Sequence, residues 1–169
     1  MSLTNKRNRE IIARSSTGNT FVMSAADDGN FVRNHEGGLI PILWFTYTGA
    51  DDEVIPREAT HIFVKARVVR REAFSRHPNI VEVICDEIIV EKIKQEAFYE
   101  CPSLRRVIMA NVITVEYNAF TACKSLTDIE CGKLEIIGRG AFCQCWSLRS
   151  INLPSARIVN ESAFVMNAL

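Results

Sequence analysis

Ala97-Phe98-Tyr99-Glu100-Cys101-Pro102-Ser103-Leu104-Arg105-Arg106-Val107 is echoed in Ala119-Phe120-Thr121-Ala122-Cys123-Lys124-Ser125-Leu126-Thr127-Asp128-Ile129. The Ala-Phe pair also stands at Ala73-Phe74, Ala141-Phe142 and Ala163-Phe164, at steps of twenty-two to twenty-four residues. A fixed period in that range is the signature of a stacked repeat architecture. Around each pair the same residue types return: Cys101, Cys123 and Cys145, with His77 in the first copy, then the apolar Ile80, Leu104, Leu126 and Leu148.

Next comes an alternating pair, Val83/Cys85, Val107/Met109, Ile129/Cys131 and Ile151/Leu153. Alternation with period two predicts a strand with one buried face. Val90, Val112, Leu134 and Ala156, then Ile93, Val115, Ile137 and Val159, supply further apolar sets on the return path. A unit of this size cannot bury apolar residues on every side by itself, whereas stacked units bury them as continuous ladders. In such a stack Phe is the large filler, Ala marks a tight turn, and the repeated Cys reads as a small buried hydrophobe.

The motif Ala-Phe-x-x-Cys-x-Ser-Leu-x-x-Ile resembles the BspA-type leucine-rich repeat over about Ile62 to Leu169. The resemblance implies a solenoid with a parallel β-sheet on one face and short turns or 3-10/helical segments elsewhere. It also implies use in protein recognition or adhesion, with no catalytic residues and no cofactor. The first copy departs from the motif at His77-Pro78-Asn79-Ile80 and carries two extra residues before Ala97, so a bulged or looser turn is expected there.

Three segments follow from this frame. Residues 1–37 are polar and basic, rich in Ser, Asn, Asp and Gly, and read as poorly ordered. Residues 38–72 read as a cap with a degenerate first repeat: the apolar stretch Leu39 to Tyr47 is too short for a membrane helix, and Ile62, Val64 and Val69 are in phase with the later ladders. A partner-binding strand is the alternative for that stretch. Residues 73–169 are the repeats, the last one truncated, which fits a piece of a longer repeat protein, end-to-end association, or a fraying end.

Residues between the inner strand positions must face outward. One outward row is His61, Glu82, Arg106, Asp128 and Ser150; the other is Phe63, Ile84, Ile108, Glu130 and Asn152. Three adjoining large apolar side chains on a sheet surface mark a candidate partner site: Phe63, Ile84 and Ile108, flanked by Arg106, Asp128 and Glu130. Trp146, in a place that Pro102 and Lys124 fill in other copies, is a further candidate contact. The alternatives are a surface charge ladder, ordinary β-formers, or a stripe covered by the N-terminal segment.

Other features point away from chemistry. The chain has 20 basic and 20 acidic residues, so nothing draws it as a whole toward nucleic acid or anionic lipid. Lys65, Arg67, Arg70, Arg71 and Arg76 cluster without interleaved aromatics and read as a solvated edge. Cys143-x-Cys145 is the only close cysteine pair, short of the ligand set of a structural zinc site. Asp27-Asp28 and Asp51-Asp52-Glu53 lack calcium-loop spacing. No phosphate loop or nucleophile elbow is present. Six ladder-phased or nearby cysteines and no secretory leader predict reduced thiols and a cytoplasmic or nuclear location.

Overall fold

Alternating Val, Ile and Cys at the inner strand positions leave this chain one economical arrangement, a coil that returns to the same sheet once per repeat. The computed structural model describes residues 10–14, 20–24, 31–85 and 90–168. Their strands are β1 (Glu10–Arg14), β2 (Thr20–Ser24), β3 (Phe31–Arg33), β4 (Leu39–Pro41), β5 (Trp44–Tyr47), β6 (His61–Val64), β7 (Val68–Val69), β8 (Glu82–Cys85), β9 (Lys92–Ile93), β10 (Arg106–Ile108), β11 (Thr114–Val115), β12 (Asp128–Glu130), β13 (Ile136–Ile137) and β14 (Ile158–Val159).

The longer sheet has the order β1-β2-β5-β6-β8-β10-β12 and the shorter one β7-β9-β11-β13-β14. From β5 to β12 all pairings are parallel and in register, as are all pairings of the shorter sheet. The product is a solenoid of about four turns, with a strand on each of two sides and no helix among the described residues. Of the two forms expected for the return path, turns with a second parallel ladder are what the chain adopts.

Each Ala-Phe pair forms the turn that closes a coil. The Phe amide donates to the alanine carbonyl one coil on: Phe74 to Ala97, Phe98 to Ala119, Phe120 to Ala141 and Phe142 to Ala163, each at 2.8 Å. A left-handed residue precedes every pair (Glu72, Glu96, Asn118, Gly140, Ser162), and another lies two past each Phe (Arg76, Glu100, Ala122, Gln144, Met166). The turn around Ala73-Phe74 is regular, since Glu72 and Arg76 have the same backbone as their successors. The two extra residues of that copy fall between Cys85 and Val90, so the looser turn expected with them lies outside the described residues.

Phe74, Phe98, Phe120, Phe142 and Phe164 stack along the axis, with centroids 4.8, 5.0, 5.3 and 5.4 Å apart and rings within 6° of parallel. Around them the inner strand and return-path residues of the first coils are sealed from solvent: Ile62, Val83, Val107, Ile93, Val115, Leu134 and Ile137. The last coil is different. Ile151 and Leu153, read from sequence as a fourth strand pair, are half-buried, and residues 150–152 form no strand, so the longer sheet ends at β12. Val159, the end of its ladder, is 52% exposed.

The segment read as poorly ordered also carries structure. β1 and β2 pair antiparallel, and β2 joins the sheet beside β5 through Val22 and Trp44. β3 and β4 form a second hairpin. At its tip, the His35 amide donates to Ser103 Oγ at 3.0 Å, across 68 positions of sequence. Composition missed these strands because low hydrophobicity argues against an independent core, and here the strands are added to an existing sheet edge.

Candidate interaction surface

Strict register assembles the outward rows. Trp44, His61, Glu82, Arg106 and Asp128 are successive neighbours across β5, β6, β8, β10 and β12. Thr46, Phe63, Ile84, Ile108 and Glu130 form the second row. Phe63, Ile84 and Ile108 thus adjoin on one face, each half-buried by its neighbours. Lys65 reaches back over the Phe63 ring, its ammonium 5.4 Å from the centroid.

Arg106 is the electrostatic centre of this face. Its guanidinium meets Glu82 at 3.5 Å, Asp128 at 3.2 Å and Glu130 at 2.6 Å. Glu130 belongs to the other row and reaches Arg106 diagonally, a contact within range of long side chains on neighbouring strands. The one-row alternation of sign expected from sequence is therefore a four-membered cluster spanning both rows. These carboxylates, the Glu130 hydrogen bond foremost, hold the Arg106 pKa above its ordinary value. With three acids around one base, the cluster is locally acidic.

His61 does not join the exposed row as expected. It is buried, with the Trp44 ring 4.9 Å away and Thr60 Oγ1 2.9 Å from Nδ1. Burial lowers its pKa to about 4. Glu82, 3.7 Å from Nε2, pulls in the opposite direction, and desolvation prevails. The imidazole is neutral at physiological pH and acts as packing under Trp44, a neighbour that the sequence pattern did not flag.

Trp146 lies away from both rows, in the turn preceding residues 148–150 of the last coil. It is 51% exposed, with the Lys124 ammonium 4.7 Å over its ring. The basic run after β6 is spread out and neutralised: Arg67 pairs with Glu91, Arg70 with Asp51, Arg71 with Glu72 and Arg76 with Glu100.

The ladder cysteines do more than fill space. Cys101, Cys123 and Cys145 donate S–H to the carbonyls of Phe74, Phe98 and Phe120 at 3.0, 3.1 and 3.2 Å. Burial pushes the thiols of Cys123 and Cys145 upward, the latter to about 12, which keeps the donor proton in place. His77 substitutes by donating Nε2–H to Pro56 O at 2.9 Å and accepting the Asn79 amide at Nδ1. No group of three or more potential metal ligands gathers among the described residues.

One arrangement superficially suggests nucleophile chemistry. His35 Nδ1 lies 3.1 Å from Ser103 Oγ, with Glu36 3.8 Å from the other ring nitrogen. The Ser103 hydroxyl, however, is fully buried, donates to Pro78 O at 2.6 Å and accepts the His35 amide. Its proton is committed to a carbonyl and its oxygen is sealed, so the pair works as a clamp for the β3–β4 hairpin.

These features define a repeat protein with a displayed sheet, and comparison with known proteins places it. The model of the BspA type leucine rich repeat region matches six copies over residues 58–169. The chain belongs to that family. No curated protein matches the sequence. Among solved structures, the chain is similar to a leucine-rich repeat protein of T. pallidum at 21% identity and TM-score 0.45, covering 56% of this chain and 52% of that one. It is also similar to one from Bacteroides ovatus at 27% identity and TM-score 0.43, covering 63% of this chain and 26% of the other. The chain therefore spans about half the length of the first and a quarter of the second.

Proposed function

We propose that this protein is a non-enzymatic binding scaffold that presents the outward face of its longer sheet to a protein partner. The observation that carries the reading is the row Phe63, Ile84 and Ile108, held in register beside the charges gathered on Arg106. Such an apolar strip rimmed by fixed charges provides burial at its centre and orientation at its edge. Membership of a leucine-rich repeat family supports this reading at the level of fold, which does not fix function by itself. The S–H donors of the cysteine ladder need reduced thiols, which supports a cytoplasmic or nuclear setting.

The test is paired affinity capture from native lysate with the wild-type chain and a Phe63→Glu/Ile108→Glu variant shown by circular dichroism to be folded. A captured protein is then purified and titrated against both. Loss of affinity in the variant supports the sheet face; equal affinity rejects it.

A second reading is favoured by the last coil, where Ile158, Val159, Val165 and Met166 are all exposed. That rung suits an added coil, from a second copy among other sources. Sedimentation of the wild type and of Ile158→Lys over a range of concentrations tests it: a concentration-dependent mass abolished by the substitution is the expected result, and a constant monomer mass rejects self-association.

A further inference from the structure

We infer that the corner around Trp146 is a second docking site, independent of the sheet face, for a short acidic peptide segment of a protein partner. Two turn rows build it. One runs through Lys124 and Trp146, joined by the Ser147 hydroxyl donating to Lys124 O at 2.7 Å. The other runs through Arg105, Thr127 and Arg149, which hold equivalent places in successive coils, with the Thr127 amide and hydroxyl both donating to Arg105 O. Between them lies an open depression of about 390 Å³ lined by Thr127, Trp146, Ser147, Arg149 and Ala168.

The charge at this corner is what identifies its occupant. Many arginines of the solenoid are matched to acids, as in Arg67–Glu91, Arg76–Glu100 and Arg106 with its three carboxylates. Of those without an ion pair among the described residues, Arg57 and Arg139 do not line this depression. Arg105, Lys124 and Arg149 have no ion pair among the described residues. The nearby acids Asp128 and Glu100 are engaged by Arg106 and Arg76. A cationic corner is thus left uncompensated in a chain whose total charge is zero.

An exposed Trp in the same depression supplies the apolar anchor that tight contacts favour. Carboxylates of a partner would take charge-assisted hydrogen bonds from Lys124 and Arg149 while an apolar side chain covers the indole. A long polyanion fits less well. Its phosphates would run from this corner onto the neighbouring acidic cluster of Glu82, Asp128 and Glu130, where they are repelled.

The probe is a fluorescein-labelled poly-glutamate peptide interrupted by leucine, titrated by anisotropy in low salt. Comparison probes are the same peptide with lysine for glutamate and an oligothymidylate of similar length. The wild type is expected to bind the glutamate peptide saturably, to ignore the lysine peptide, and to weaken as salt rises. Lys124→Glu/Arg149→Glu and Trp146→Ala, all at exposed positions and checked by circular dichroism, should each weaken binding by about tenfold or more. The Phe63→Glu/Ile108→Glu variant should bind the probe as the wild type does, which separates this site from the sheet face. Absence of saturable binding, or equal binding by the Lys124→Glu/Arg149→Glu variant, overturns the proposal. Tighter binding of the oligothymidylate also overturns it and assigns the corner to single-stranded nucleic acid.

Discussion

The Tyr47 ring stands edge-on to Phe74, with centroids 5.0 Å apart and planes at 61°. Every later ring pair in the ladder is parallel, so Tyr47 is where stacking stops. Its hydroxyl accepts from both the backbone amide and Nε of Arg70 at 3.2 Å, which fixes the ring across the end of the column. β5 thereby contributes a side chain that finishes the core and a strand that carries β2 on its other edge.

This termination predicts a gradient of cost along the ladder. Phe120 has a stacked ring on both sides and is fully buried, so Phe120→Ala should cost roughly 3–5 kcal/mol. Phe164 is stacked on one side only and half-buried, and Phe164→Ala should cost clearly less. Tyr47→Phe keeps the ring and deletes the acceptor, for a loss of roughly 1 kcal/mol. Urea denaturation of the three variants measures the order; equal losses at Phe120 and Phe164 would mean that the stack is not the unit of stability.

The Cys123 position offers a sharper test of what the ladder thiols do. If Cys123 were only a small hydrophobe, Cys123→Ala would be the mild change and Cys123→Ser the harmful one. The S–H bond to Phe98 O reverses that expectation. Alanine leaves a buried carbonyl short of its donor, at a cost of about 1–3 kcal/mol, while serine retains an O–H to donate. The serine variant should therefore melt above the alanine variant, as read by calorimetry under reducing conditions.

This role was beyond the sequence for a specific reason. The spacing of Cys101, Cys123 and Cys145 places them inside, but the distance from each sulfur to a Phe carbonyl one coil back depends on the turn backbone. From β6 to β12 the outward rows were legible, because period two and a constant repeat length fix which side chains adjoin. Ser150 and Asn152, read as their last members, lie past the end of the sheet, and Trp44 and Thr46 extend the rows at the other edge. What could not be read was depth. His61 shares the phase of Glu82 and Arg106, yet Trp44, from a strand outside the repeat, covers it. In the same way His35 meets Ser103 only because β3 and β4 fold as a hairpin that no periodicity announces.

Arg106 is expected to hold its three carboxylates together electrostatically. Arg106→Met keeps the stem and removes the charge, leaving Glu82, Asp128 and Glu130 to repel one another across β8, β10 and β12. The variant should melt below the wild type at low ionic strength and recover as salt screens the repulsion. An unchanged melting temperature at low salt would show that the exposed cluster contributes nothing to the fold, as happens for many surface ion pairs.

Acid should destabilise the solenoid through its buried imidazoles before its carboxylates protonate. The folded pKa of His61 is about 4, against an ordinary value of 6.5, because burial disfavours the charged ring. As pH falls below about 6.5 the unfolded chain takes up a proton that the folded chain refuses, so stability declines and the loss is complete once pH passes the folded value. The gap corresponds to a loss of about 3 kcal/mol. His77 shifts in the same direction, chiefly through burial, with its Nε2–H bond to Pro56 opposing. His61→Gln should therefore flatten, without abolishing, the slope of unfolding free energy between pH 6.5 and 4, and adding His77→Gln should flatten it further. Parallel slopes in the wild type and both variants, measured by urea titration across that window, would show that neither ring refuses its proton in the folded state.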